Sequence, residues 1–346
     1  TQDGFNQHKD WEGQLAEAGF SMVTWPKKWG GSDRDLFDWL IFEEEYYASD
    51  APFRINQNGL LLLGPTLMEF GTPKQKETIL PRMASCQDMW AQAWSEPNAG
   101  SDMAAIRSKA IRHGDGYLIN GQKIWTTNAH HCHFMIALVR TSGEAKDRQQ
   151  GLSQLIVDLS LPGVTVRPIK DQSGDSHFCE VFFDNVQLAD DALIGDEGAG
   201  WAQVTAELAF ERSGPERLYS SIVLFEEWLA FVRTPQGHTP ASQRLAGKII
   251  TQLAPLRALS LAITERLTRG ESPVVEAALV KDLGTGVEQL IPYAIADDLA
   301  ARESEDIPLA LMHTLNYVTQ VAPSYSLRGG TRDILRGMIA RGLGLR

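Results

Sequence analysis

The sequence predicts an α+β multidomain chain: an N-terminal α-helical domain over residues 1–90, a central antiparallel β-barrel or sandwich over 91–197, and a C-terminal helical bundle over 198–346. Three observations carry this reading. Apolar residues recur at helical spacing before residue 90. Short apolar segments bounded by Gly, Pro, Asn or Asp then follow one another without an intervening helix. After Gly200 the chain turns to long, Leu/Ala-rich amphipathic stretches.

Taken in order, "WEGQLAEAGF" and "DLFDWLIFEEEYYAS" read as helices, separated by the turn-rich "TWPKKWGGSD". "GTPKQKETILPRM" carries a helix start, with Thr72 as N-cap, Pro73 at the first helical position and Gln75 closing a capping box. In "GDGYLINGQKIWTT", Gly114-Asp115-Gly116 and Asn120-Gly121 are two turn signals around short strands. "FMIALVRT", "LSQLIVDL", "GVTVRPI" and "CEVFFDNVQL" supply further strands, and the absence of helices among them predicts antiparallel pairing. "ERLYSSIVLFEEWLAFVR", "SQRLAGKIITQLAPLRALSLAITERLTRG" and "PVVEAALVKDLGTGVEQLIPYAIADDLA" are the bundle helices, and Thr331 can cap a last one.

The 346 residues, 43% hydrophobic and 22% charged, are ample for a soluble protein with a large core. A net charge of −12 with no basic patch excludes a nucleic-acid surface. No apolar run reaches the roughly 18 residues of a membrane span. No signal peptide opens the chain, and three cysteines without paired spacing predict reduced thiols and a cytoplasmic location.

"NAHHCHF" gathers His130, His131, Cys132 and His133, but strand alternation would split them between two faces, and no second cluster completes a ligand set; no metal is expected. "GDEGAGW" lacks dinucleotide-fingerprint spacing and reads as a domain-crossing turn. "WAQAWSEPNAGSDMAA" sets Ser95, Ser101 and an exposed turn beside two tryptophans, a combination that suits a flat, polar-edged ligand bearing phosphates as well as a plain capped loop. In "VTAELAFERSGPERL", helical phase puts Trp201, Val204 and Leu208 on one stripe with Glu211, facing the bundle interior, while Arg212 points about 100° away. Gly214 and Pro215 then weaken the helix. Pro215 either frees the Glu211 carbonyl or belongs to a capping box, Ser213 to Glu216, that starts a new helix.

"SEPNAGSD" followed by "NGQKIWTTN" resembles the paired signatures of the acyl-CoA dehydrogenase family. The likeness extends through "WPKKWGG", "GPTLMEFGTPKQKETILP", "GVTVRPIKDQSGDSHFCEVFFDNV" and "GGTRDILRGMIARGLGLR". The resemblance implies a C-terminal four-helix bundle, FAD lying between the β-domain and the bundle, and α,β-dehydrogenation of an acyl-CoA thioester to the trans-2-enoyl-CoA. It implies that Trp125 stacks on the isoalloxazine and that Thr127 lies near its reactive nitrogen. Gln92, Trp94 and Ser95 would meet the ring's edge, with Gly100 and Ser101 lining the turn towards pyrophosphate or acyl-CoA. Many members carry the catalytic glutamate in the last loop, where this chain has Gly329. A second group uses a glutamate followed by arginine on the first bundle helix, which Glu211-Arg212 matches, with Glu211 as base and Arg212 on the substrate side.

Two departures matter. The neighbour-reaching "FVRTPQGHTPASQRL" keeps Arg233 but lacks the phenylalanine of the family's R-x-x-F loop. The glycine-rich turn before the last loop is absent from "LNYVTQVAPSYSLRGG". Both are similar to the steroid-degrading branch, whose unlike subunits assemble and share fewer FAD sites. The resemblance therefore implies a homo- or hetero-oligomer (dimer or tetramer) with electron-transfer flavoprotein as electron acceptor. The alternatives are a non-catalytic FAD/CoA-binding partner subunit and a flavin monooxygenase or oxidase on the same scaffold.

Overall fold

The structure is a computed structural model that describes residues 2–49, 51–213, 219–302 and 306–345, the side chains of residues 2 and 209–213 excepted. Internal contacts group the chain into two units. The first comprises Thr1–Arg34 and Pro52–Phe210, and the second Asp35–Ala51 and Glu211–Arg346. The sequence reading drew three blocks; the grouping joins the N-terminal helices to the sheet and assigns residues 35–51 to the C-terminal helices.

Helix α1 (Gln2–Glu17) opens the chain, and α2 (Leu36–Ala48) is capped by Asp35, whose carboxylate accepts from the N–H groups of Phe37 and Asp38 at 2.8 and 2.9 Å. A π-helical stretch (Asn58–Leu63) runs into α3 (Gly64–Phe70). Helix α4 (Pro73–Ala84) starts on the expected capping box: Gln75 N–H donates to Thr72 Oγ1 at 3.2 Å, and Thr72 N–H to Gln75 Oε1 at 2.8 Å. The amide of Gln75 has a second task, donating to the carbonyls of Asp191 and Leu193 and so tying α4 to the sheet's exit.

The strands β1 (Trp90–Ala93), β2 (Lys109–His113), β3 (Gly116–Thr127), β4 (Phe134–Arg140), β5 (Leu152–Asp158), β6 (Val164–Ile169) and β7 (Phe178–Ala189) form one sheet. Its order is β1-β4-β2-β3-β7-β6, with β5 on the other side of β4. The antiparallel expectation is corrected at β1, which lies parallel to β4 with Trp90 opposite Phe134, and β2 touches β4 in parallel as well. The described pairings do not join β5 to β6, so the sheet is curled rather than a hydrogen-bonded closed barrel. Its core gathers Tyr117, Ile119, Met135, Val157, Val181 and Phe183.

Asn120-Gly121 is not the second turn expected. It is a bulge inside the single strand β3, where the pairing with β7 shifts register. The Asn120 carboxamide engages Asn185 at 2.8 and 3.2 Å, and a Cβ on Gly121 would lie 2.2 Å from Ser108 Oγ. Helix α5 (Gly200–Ser213) follows and crosses from the first unit to the second.

In the second unit, α6 (Ile222–Val232), α7 (Pro240–Thr268), α8 (Val274–Ala300), α9 (Leu309–Val321) and α10 (Arg332–Gly342) complete the C-terminal helices. Trp228, Phe225, Ile249, Ile291 and Leu311 centre their core, and Asp298 binds Trp228 Nε1, Ser242 Oγ and Arg302 inside it. Thr331 occupies the N-cap position of α10, but its side chain makes no capping bond. The Gly214–Leu218 break lies outside the described residues. No described helix is long and apolar enough to cross a membrane.

Candidate functional site

The segment leaving β1 is held by a buried ion pair. Lys123, fully buried on β3, donates to Glu96 Oε1 at 2.8 Å and to the carbonyls of Trp94 and Leu138 at 3.1 and 2.6 Å. Glu96 also accepts the N–H groups of Arg107 and Ser108 at 2.7 and 2.9 Å. Burial alone would raise the Glu96 carboxyl. The Lys123 charge and bond, with these N–H donors, outweigh burial and hold it below the usual carboxylate range. Burial pulls the Lys123 amine down. Reciprocal backbone bonds between Glu96 and Ala99, both 3.0 Å, fold Pro97-Asn98 into a tight turn.

This frame fixes the residues expected to meet a ligand. Ser95 is half-buried, and its carbonyl accepts the Ile124 N–H at 3.0 Å, which brings it next to Trp125. Gly100 and Ser101 are exposed; a Cβ on Gly100 would meet nothing within 4 Å, so the space beside its backbone is open. Asp102, held below its usual pKa by Arg148, binds that guanidinium through both oxygens at 2.7 and 2.8 Å. The Trp94 indole is turned into the core with Ile106, Leu138 and Val204, and donates to Gln154 Oε1 at 3.3 Å.

Trp125 stands in a second bulge of β3, between Lys123 and Thr126, at φ +61°. A left-handed tryptophan is strained by about 1–3 kcal/mol. Its side chain is 55% exposed, touched edge-on by Phe178 at 5.8 Å. The fold thus holds a large aromatic ring out of the core at a conformational cost. Thr127, two residues on, is half-buried opposite Phe178. Ser95, Trp125 and Thr127 are brought together; Gly100 and Ser101 lie along the same turn.

Helix α5 corrects one expectation. Val204, Trp201 and Leu208 pack on the sheet-side cluster of Trp94, Leu138 and Leu152 within the first unit, not into a bundle interior. The most buried line of the helix runs through Gln203, Val204 and Glu207, with Trp201 and Leu208 at its margin. Glu211 and Arg212 belong to the last turn of α5, but their side chains lie outside the described residues.

The histidine segment forms a 3-10 turn (Ala129–His131) rather than the strand expected, and the His130 and His131 rings lie 3.8 Å apart. His131 stacks on Phe5 at 3.9 Å, His130 Nδ1 faces Cys179 Sγ at 3.1 Å, and His133 Nδ1 accepts the Met89 N–H at 3.0 Å. The three cysteines are free thiols, and burial pushes Cys86 up to about 12.

In the second unit, Gly329 and Gly330 have φ of +67° and +102°. Arg233 is exposed at the end of α6, and the following loop folds on itself, with Gly237 N–H donating to Thr234 Oγ1 at 3.1 Å.

Sequence reasoning missed Glu207 and the Glu96–Lys123 pair. Glu207 sits one helical turn before Glu211, on the side of α5 that faces inward, and that phase was the available signal.

The motifs, the curled sheet and the flanking helices define a family. Residues 2–87 match the description "Acyl-CoA dehydrogenase, N-terminal domain" and residues 91–186 "Acyl-CoA dehydrogenase, middle domain". The chain belongs to the acyl-CoA dehydrogenase family of flavoprotein oxidoreductases. Among its relatives, acyl-CoA dehydrogenase IpdE1 of Mycobacterium tuberculosis is 39% identical over 267 residues, 76% of this chain and 69% of the relative. Acyl-CoA dehydrogenase FadE29 of the same organism is 30% identical over 92% of this chain and 83% of the relative. Of solved structures, the Tcur3481–Tcur3483 steroid ACAD superposes with a TM-score of 0.87 at 26% identity, covering 98% of this chain and 89% of that one. The ChsE4–ChsE5 complex from Mycobacterium tuberculosis gives 0.86 at 25%, covering 98% and 90%.

Proposed function

We propose that this chain is an FAD-dependent acyl-CoA dehydrogenase subunit that introduces an α,β double bond into an acyl-CoA thioester. The observation that carries the reading is Trp125, strained, exposed and bonded through its neighbour Ile124 to Ser95, with open space at Gly100. These residues fit a flat aromatic cofactor with a polar edge and a phosphate tail. Trp125 would stack on the ring, Gln92, Ser95 and Thr127 would meet its edge, the Trp94 backbone would lie beside it, and Gly100 and Ser101 would line the tail. When bound, FAD supplies the two-electron acceptor.

Glu211 takes the proton α to the thioester carbonyl, as the β-hydrogen leaves with its electron pair; the products are the trans-2-enoyl-CoA and a protonated Glu211. Arg212 and Ser101 hold the substrate. Its acyl part is bulky and steroid-side-chain-like, a reading supported by the steroid ACAD and by the heteromeric ChsE4–ChsE5 complex among the structural relatives. The rebuilt loop after Arg233 and the missing glycine-rich turn before the last loop favour a heteromeric assembly, in which an unlike subunit completes the cofactor site. Electron-transfer flavoprotein reoxidises the enzyme.

Glu211→Gln keeps the shape of the side chain and removes its basicity. Acyl-CoA and FAD should still bind, while flavin reduction in anaerobic stopped flow slows at least ~10²-fold, as for a lost general base. A glutamine variant reduced at the wild-type rate removes Glu211 as base and points to a subunit that binds without catalysing.

A further inference from the structure

We propose that Glu207 is a positioning residue for the cofactor: it locks the Gln92 carboxamide so that Gln92 presents its oxygen, not its nitrogen, to the edge of the flavin ring. The inference rests on the flavin reading above and adds a residue that none of the motifs contains.

Glu207 is 2% exposed on α5, and its carboxylate is held by side chains from two other elements. Thr66 Oγ1, from α3, donates to Oε2 at 2.9 Å, and Gln92 Nε2, from β1, donates to Oε1. All three residues belong to the first unit, so the network stands within one compact body. A buried carboxylate is costly unless it accepts such bonds, and this one is placed where it accepts from Gln92.

The chemistry of the pair sets the direction of the amide. Both Glu207 oxygens accept in this network, from Thr66 and from Gln92, whereas a carboxamide has one donor end and one acceptor end. Turned the other way, Gln92 would set its own oxygen against Glu207. Locked as it is, the amide commits Nε2 to Glu207 and leaves Oε1 without a protein partner among the described residues. Gln92 is half-buried on β1, three residues before Ser95, whose carbonyl is bonded beside Trp125. An isoalloxazine ring offers one N–H donor at its pyrimidine edge, at N3, between two carbonyls. An acceptor fixed in advance at that edge spares the entropy of orienting a free glutamine on binding.

The test is titration of the flavin-stripped full chain, in the assembly in which it is purified, with FAD followed by flavin fluorescence. Glu207→Leu and Gln92→Leu should each weaken FAD binding about tenfold, the loss of roughly one hydrogen bond. The double variant should be no weaker than the worse single, because both changes remove one interaction. Glu207→Gln should stay within about threefold of wild type, since its amide oxygen still accepts from Gln92 while its NH2 donates to Thr66. Multiplied losses in the double variant, or wild-type affinity in Glu207→Leu, would overturn the inference.

Should Glu207→Leu not fold, FAD methylated at N3 decides. Wild type should prefer FAD to the methylated flavin by about tenfold, and Gln92→Leu should lose that preference; a wild type with no preference overturns the proposal. A substrate-reduction defect in Glu207→Gln with unchanged FAD affinity in Glu207→Leu would make Glu207 a proton acceptor rather than a positioning residue. A wild-type chain that takes up no FAD in any assembly overturns the flavin reading itself, a result distinct from all of these.

Discussion

Two buried carboxylates, one in each unit, are satisfied to different degrees, and the contrast separates a closed network from an open one. In the first unit, Lys123 makes three bonds of 2.6–3.1 Å and Glu96 accepts from three donors, so a pair that would be costly to bury is satisfied and pins the turn at Ser95. In the second, Glu288 is just as deeply buried but accepts the Ser220 N–H at 2.9 Å and meets Arg328 only at 3.5 Å. Glu288 Oε2 and Arg328 Nε have no hydrogen-bond partner among the described residues. The saturated pair holds the turn that carries Ser95; the unsaturated one adjoins Gly329 in the chain.

Breaking the saturated pair should have the largest effect on stability. Lys123→Met leaves Glu96 buried without its cation and should cost about 3–5 kcal/mol in urea denaturation at pH 7. Adding Glu96→Gln should recover only part of that loss: it removes the unpaired charge, but Arg107 and Ser108 donate to different oxygens of Glu96, so the single amide oxygen can accept one N–H while the NH2 faces the other. A single variant within about 1 kcal/mol of wild type would remove the pair as the frame of the turn.

A buried carboxylate in the second unit whose cations reach solvent sharpens the comparison. Asp282 on α8 accepts from Arg332 Nε at 2.6 Å and Arg336 Nε at 3.2 Å, both from α10. Burial would raise its carboxyl, but the two arginines prevail and hold it below the usual range. A carboxyl depressed in the folded state stabilises above its unfolded pKa, about 3.9, and that contribution is lost as pH falls through the folded value. Since the arginines are 35% and 58% exposed on their side chains, solvent screening reduces the gain. Asp282→Asn should cost about 1 kcal/mol at pH 7, and the difference from wild type should vanish in acid. A cost matching that of Lys123→Met, or one that persists at low pH, would contradict this ranking.

Local features were legible in the sequence and distant ones were not. The capping box at Thr72 and Gln75 was readable because both halves lie within four residues. Asn120-Gly121 was read as a turn because nothing nearby reveals that Asn185, sixty-five residues on, would engage Asn120. The parallel pairing of β1 with β4 joins segments more than forty residues apart and leaves no mark in the pattern of either. Within the candidate site, the motifs gave Trp125 and Ser95, but not the left-handed backbone that presents the indole. The helical stripe on α5 gave Val204 but was followed to Glu211, one turn past Glu207, whose partners Thr66 and Gln92 lie more than 110 residues away.

The smallest expected effect concerns Trp125, and it separates strain from function. At φ +61° a residue with a Cβ pays for its conformation, whereas glycine adopts it freely. Trp125→Ala keeps the strain and loses the edge-on contact with Phe178, so it should destabilise the flavin-free protein by about 1 kcal/mol. Trp125→Gly loses the same contact but relieves the strain, and a glycine's extra freedom in the unfolded chain offsets only part of that relief. The glycine variant should therefore be as stable as the alanine one or up to about 1 kcal/mol more stable, although glycine is usually the worse strand residue. Both variants should lose FAD on gel filtration and shift the visible flavin spectrum, because neither carries a ring to stack. Thermal unfolding of the flavin-stripped proteins reads the first effect and flavin content the second. An alanine variant more stable than the glycine one would show that the bulge is not strained. Undiminished flavin in both would take Trp125 out of the cofactor site while leaving the strain to be explained by some other use of an exposed indole.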